Sequence, residues 1–134
     1  MRAQGVLDKM STPIDMTKKI LVVEDDELIL KMVDFKLKKE GFQVYISRDG
    51  DHALKAFEEV KPDLVLTDLM VPFKSGLEVT YWVKKNYPEV PVLVFSALGD
   101  EESAVQQAFK LGASDFITKP FNPNELVLRI RRFI

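Results

Sequence analysis

The chain contains no cysteine, which excludes disulfides and thiolate metal sites and fits a cytoplasmic setting. Its single histidine, His52, cannot form a histidine-rich metal centre alone, and its place at the start of a helix, away from the strand ends, suits a surface role. No apolar run approaches the ~20 residues needed to span a bilayer. The opening MRAQGVLDKM lacks the apolar segment of a signal peptide. An excess of one charge is missing too. The 19 basic and 21 acidic residues leave a formal net charge of −2, with no broad attraction to nucleic acid or anionic lipid. No Walker-type or dinucleotide-binding glycine loop occurs. These absences point to a soluble, cytoplasmic protein with no membrane segment and no direct nucleic-acid contact.

What is present suits one compact domain: 134 residues, 46% hydrophobic and 30% charged. Residues 1–17 mix Gly, Ser, Thr, Pro and charges without periodicity and read as a flexible leader or added tail, leaving a domain over 18–134. Ile20-Leu21-Val22-Val23, Leu64-Val65-Leu66 and Val92-Leu93-Val94-Phe95 are continuous apolar runs, the pattern of strands buried on both faces. Phe42 to Ile46 alternates like a strand nearer an edge, and Ser114 to Ile117 makes a shorter fifth. Between them lie helical stripes. Leu28, Ile29, Met32, Val33, Phe35 and Leu37 form the first, ended by Gly41. Ala53, Leu54, Phe57 and Val60 form the second. Leu77, Val79, Tyr81, Trp82 and Val83 lie in the third, closed by Asn86 and Pro88. Ala104, Val105, Ala108 and Leu111 form the fourth, stopped at Gly112. Leu126, Val127, Ile130 and Ile134 form the fifth, entered through Asn122-Pro123.

Five strands alternating with five helices predict a doubly wound α/β domain. Right-handed crossovers place the carboxyl ends of all its parallel strands on one edge, where such sheets bind ligands. The residues expected just after each strand are therefore informative. They are Glu24-Asp25-Asp26 after the first, Asp68 after the third, Ser96-Ala97 after the fourth and Thr118-Lys119-Pro120 after the fifth. Converging carboxylates repel unless a cation neutralises them. A hard divalent ion such as Mg²⁺, with oxygen ligands, is the natural solution. An Asp nucleophile forms acyl phosphates elsewhere, and a metal, a Lys and a hydroxyl stabilise the charge of a transferring phosphoryl group.

These segments resemble the signature of response-regulator receiver domains over about Lys18 to Ile134. The resemblance is carried by Ile20 to Asp26, Asp63 to Pro72 with Ser75-Gly76, Val94 to Ala97 and Gly112 to Phe121, in the family's order. It implies a flavodoxin-like strand order 2-1-3-4-5 and a signalling phosphoacceptor rather than an enzyme. Asp68 would be the phosphoacceptor. Asp25 would bind Mg²⁺ directly, Glu24 through a water, and Met70 through its backbone carbonyl. Ser96 would be the switch hydroxyl, Phe116 the switch aromatic, and Lys119 the partner of a phosphoryl oxygen, with Lys119-Pro120 cis. Asp26 is expected to point away from the metal. The implied partner is a sensor histidine kinase or a phosphotransfer protein, met through the first helix around Leu28 to Phe35. The fourth helix, fifth strand and fifth helix would form the output or homodimer face. Asp115 and Arg129 match charged positions of the winged-helix regulator branch there.

The residues taken singly have plainer readings. Asp68 could cap a helix, the acids could open one at its positive dipole end, and Arg129, Arg131 and Arg132 could answer the negative end of the last helix. Those readings do not account for Asp68 and Lys119 together. A phosphatase of the haloacid dehalogenase type would need an acid where Met70 stands, with its motif after the first strand. A flavodoxin-like nucleotide or flavin binder would need Gly, Ser or Thr where Glu24-Asp25-Asp26 stand. A degenerate receiver, acting only through protein contacts, would not need the full residue set. The chain closes at Ile134 within a segment that reads as helical. This suits the isolated N-terminal receiver of a longer regulator; a stand-alone receiver is the alternative.

Overall fold

The computed structural model describes residues 17–71, 73–97 and 102–134. The leader expected over 1–17 therefore lies, apart from Thr17, outside the described residues. Five strands, β1 (Lys19–Val23), β2 (Gln43–Ser47), β3 (Leu64–Asp68), β4 (Val92–Ala97) and β5 (Asp115–Lys119), alternate with α1 (Glu27–Lys39), α2 (Gly50–Val60), α3 (Gly76–Asn86), α4 (Glu102–Lys110) and α5 (Pro123–Arg131). The strands pair in parallel in the order β2-β1-β3-β4-β5, the flavodoxin-like arrangement. Among the described residues no helix is long and apolar enough to cross a membrane.

The sheet separates two apolar layers because successive strand side chains point to opposite faces. Ile20, Val22, Leu64, Leu66, Leu93 and Phe95 pack with α1 and α5 through Leu30, Val33, Leu37, Leu126 and Ile130. Leu21, Val23, Val65, Val92 and Val94 pack on the other face with Ala53, Phe57, Val79, Val83 and Ala108 of α2, α3 and α4. Burial on both faces explains why β1, β3 and β4 read as unbroken apolar runs. The edge strand β2 exposes Gln43 and buries only Ser47 fully.

The starts of α1, α2, α3 and α5 have visible causes. Asp26 caps α1, its Oδ1 accepting from the amides of Leu28 (2.9 Å) and Ile29 (3.1 Å). Asp49 caps α2, Ser75 and Glu78 form a capping box on α3, and Asn122 caps α5 with Pro123 in its first turn.

Several local expectations shift. Phe42 precedes β2 instead of opening it, buried beneath the Arg131 guanidinium at 5.1 Å. Leu28, Met32 and Phe35 do not join the core. They lie four and three residues apart on the solvent face of α1, Leu28 80% and Phe35 70% exposed, while Leu30, Val33 and Leu37 face inward. α5 ends at Arg131, short of Ile134. The strands also run further than their apolar cores. Asp68, Ser96-Ala97 and Thr118-Lys119 lie within the last two residues of β3, β4 and β5, not after them. The ladder pairs Asp68 with Phe95, Ser96 with Thr118 and Ala97 with Lys119.

Candidate functional site

Glu24, Asp25, Asp68 and Lys119 meet at the carboxyl edge of the sheet, where β1, β3 and β5 end. The Lys119 ammonium sits between two carboxylates, 2.9 Å from Glu24 Oε1 and 2.7 Å from Asp68 Oδ2. The other Glu24 oxygen accepts from the amides of Asp25 and Asp26, each at 3.1 Å. The Met70 amide donates to Asp68 Oδ1 at 3.3 Å. One carboxylate oxygen from each of Glu24, Asp25 and Asp68 lies within 4.8 Å of the others. Glu24 is 1% exposed and Asp68 8%, whereas Asp25 is open to solvent.

Strand geometry places each group. Glu24 directly follows β1, and its amide donates to the carbonyl of Ser47 at 3.0 Å, extending the β1–β2 ladder past the strand end. Asp68 is held at both sides: its carbonyl accepts from Thr67 Oγ1 at 2.9 Å, and Leu69 N donates to Phe95 O at 3.3 Å. Phe95, stacked on Phe121 with ring centroids 4.9 Å apart, lies under the Lys119 ammonium at 5.6 Å, a cation–π contact that narrows the lysine's positions. The Lys119–Pro120 bond is cis.

The electrostatics follow from burial. Burial pushes the Glu24 carboxyl above its ordinary value, and the nearby Asp68 charge adds to this. The Lys119 hydrogen bond and the amide of Asp26 pull in the opposite direction without overcoming it. Burial alone would lower Lys119, but its hydrogen bonds to Asp68 and Glu24 outweigh that and hold it above its usual value. The pocket thus holds its lysine charged while one of its carboxylates is ill-solvated.

The other candidates lie nearby in different states. Ser96 is buried near the end of β4, on the strand beside β3. The half-buried Phe116 ring packs on Phe109 of α4, centroids 4.3 Å apart. Asp26 is spent on capping α1. His52 is exposed but not remote from the strand ends: its Nδ1 and Ser47 Oγ share a hydrogen bond at 2.7 Å, because Asp49 turns the chain so that α2 starts against the end of β2. The dipole reading of the terminal arginines is incomplete. Arg129 grips Asp115 and Glu125 at 2.9 and 3.1 Å, and Arg131 reaches Glu40 at 3.2 Å. Sequence reasoning missed Phe95 as the floor of the lysine and Gly50 as a contact of the β3–α3 loop; an apolar pattern and a lone glycine do not announce either.

A doubly wound parallel sheet with an acid cluster and a lysine at its carboxyl edge defines a class of domain built to handle a charged group at that edge. The chain belongs to the response regulator receiver domain family, whose profile matches residues 20–131; it is a receiver domain of two-component signalling. The receiver domain of NtrX from Brucella abortus is 36% identical with a TM-score of 0.79, covering 84% of this chain and 95% of that one. The chemotaxis response regulator CheY4 of Vibrio cholerae is 27% identical with a TM-score of 0.81, covering 89% and 100%. The signal receiver domain of a signal transduction histidine kinase from Syntrophus aciditrophicus is 28% identical with a TM-score of 0.80, covering 87% and 89%. Of a longer NtrX chain from Brucella abortus, 35% identical with a TM-score of 0.81, the match covers only 27%.

Proposed function

We propose that Asp68 accepts a phosphoryl group from the phosphohistidine of a sensor histidine kinase or phosphotransfer protein. The observation that carries this reading is the Lys119 ammonium lodged between Asp68 and Glu24, with the Asp25 carboxylate beside them. Three clustered carboxylates are a hard-oxygen donor set, which fits Mg²⁺. Asp25 and Asp68 would hold the ion directly, Glu24 through a water and Met70 through its backbone carbonyl. Bound there, Mg²⁺ supplies positive charge against the phosphoryl oxygens.

This chain's own residues supply the rest. A carboxylate oxygen of Asp68 attacks phosphorus while the phosphorus–nitrogen bond breaks and its electron pair returns to the imidazole. Lys119, already charged and positioned by Phe95, pairs with a phosphoryl oxygen as charge develops. Water later attacks the acyl phosphate, releasing inorganic phosphate and restoring the Asp68 carboxylate. The domain is thus a signalling phosphoacceptor that promotes its own loading and unloading, not an enzyme acting on a separate substrate. Ser96 would turn toward the new phosphoryl group, and Phe116 would leave its contact with Phe109 to pack inward. That change would remodel the face of α4, β5 and α5, a two-state element biased by one added charge. The same face would serve a homodimer or an output domain. The exposed Leu28, Met32 and Phe35 stripe on α1 is apolar, suited to a kinase helix. The setting is cytoplasmic.

Intact-mass spectrometry after incubation with acetyl phosphate or a phosphoramidate tests this reading. One phosphoryl group should be gained only with Mg²⁺ and be lost in Asp68→Asn. A wild-type chain that gains nothing under rapid quench would overturn it.

A further inference from the structure

The β3–α3 loop meets α2 at Lys74, whose backbone carbonyl abuts Gly50 and whose ammonium pairs with Asp51 at 3.7 Å. A Cβ built on Gly50, the first residue of α2, would lie 2.7 Å from the carbonyl carbon of Lys74 and closer still to its oxygen. Only a hydrogen fits at that point. The loop's path is otherwise costly. Phe73 takes a left-handed φ of 69° while its ring is 81% exposed, so no burial offsets the strain. At its neck the loop is closed by Gly76 N donating to Leu69 O at 2.9 Å, and a Cβ on Gly76 would meet the Asp68 carbonyl and stand 2.8 Å from Leu69 Cα.

The first turn of α2 is also tied to the other acid-bearing segment. His52 bonds Ser47 Oγ at 2.7 Å, and the Ser47 carbonyl accepts from Glu24 N at 3.0 Å. The Asp49 side chain fixes the His52 amide at 2.7 Å. One helical turn therefore touches the strand end that positions Glu24 and the loop that carries Met70. Asp68 itself is held in the β3 ladder and does not depend on that turn.

We propose that Gly50 is a positioning residue for the metal site. Its missing side chain lets the β3–α3 loop close on α2, and this closure sets where Met70 stands relative to Glu24 and Asp25. The proposal rests on the Mg²⁺-dependent reading above and adds that α2, which contributes no ligand, controls the ion's affinity. Adding a methyl there pushes the loop outward, moving Met70 while leaving the phosphoacceptor in place.

The test compares Gly50→Ala with Gly41→Ala. Gly41 has a φ of 97° and nothing within 4 Å of a built Cβ, so its substitution strains the backbone far from the loop. Mg²⁺ affinity of each full chain is measured by titration calorimetry, and the rate of Asp68 phosphorylation is followed against Mg²⁺ concentration. Gly50→Ala should raise the Mg²⁺ dissociation constant about tenfold while the rate at saturating Mg²⁺ stays within about twofold. Gly41→Ala should lower the melting temperature and leave Mg²⁺ affinity unchanged. Unchanged affinity in Gly50→Ala beside a Mg²⁺-binding wild type would overturn the proposal alone. Equal affinity losses in both variants would also overturn it, by making the effect one of general stability. A wild type that binds no Mg²⁺ would sink the underlying reading instead.

Discussion

Two ion clusters on this domain contain the same ingredients, two carboxylates and one cation, and end in opposite conditions. In the pocket, Lys119 is shared between Glu24 and Asp68, which come from different strands and are almost fully buried. On the face of β5 and α5, Arg129 takes Asp115 at 2.9 Å and Glu125 at 3.1 Å, and also donates to the Phe116 carbonyl at 3.3 Å. Asp115 and Glu125 hold the surface arginine above its usual value, with little opposition from burial. In the pocket burial wins at Glu24, which stays above its usual value despite an ammonium at 2.9 Å. The surface cluster is satisfied as it stands. The pocket keeps a buried carboxylate that a further cation would relieve, and this difference supports the proposed site.

The comparison breaks first at its cations. Lys119→Met leaves Glu24 and Asp68 facing each other under cover and should cost about 3 kcal/mol by urea denaturation at pH 7 in chelator, the scale for removing one partner of a buried pair. Arg129→Met should cost about 1 kcal/mol or less, and that loss should fade in high salt while the Lys119 effect persists. Equal losses would mean that burial does not separate the two clusters.

A smaller effect sharpens the contrast at Glu24. Because its folded value is raised above 4.5, the folded state holds this proton more tightly than the unfolded one. Its favourable contribution is full below about 4.5 and is lost as pH rises through the folded value. Glu24→Gln escapes that loss, so its metal-free melting temperature should exceed wild type at pH 7, the gap narrowing as pH falls toward 4.5. A variant less stable than wild type at pH 7 would show that the Lys119 bond outweighs desolvation.

Much of this was legible in the sequence, for reasons that particular residues make plain. The centres of β1, β3 and β4 are unbroken apolar runs because helices cover both faces, so Ile20 to Val23, Leu64 to Leu66 and Val92 to Phe95 stood out as strands. The acids and Lys119 were visible because parallel strands deliver their ends to one edge. The facing of α1 was not legible. Leu28, Met32 and Phe35 repeat at helical spacing, as do Leu30, Val33 and Leu37; periodicity finds an apolar stripe but cannot choose between two. Strand ends were blurred because polar residues such as Asp68 and Lys119 continue the ladder beyond the apolar run. The contact of Gly50 with Lys74 joins residues far apart in the chain, and only the folded backbone reveals it.

The central claim is that Asp68 is the atom-level acceptor. Its most direct test is borohydride reduction of the chain after treatment with a phosphodonor and Mg²⁺, followed by peptide mapping, since reduction converts an aspartyl phosphate to homoserine. The account predicts homoserine at position 68 and at no other acid, absent when Mg²⁺ is chelated. Homoserine at Asp25 or elsewhere, or a phosphoryl group that survives as phosphoserine at Ser96, would contradict it.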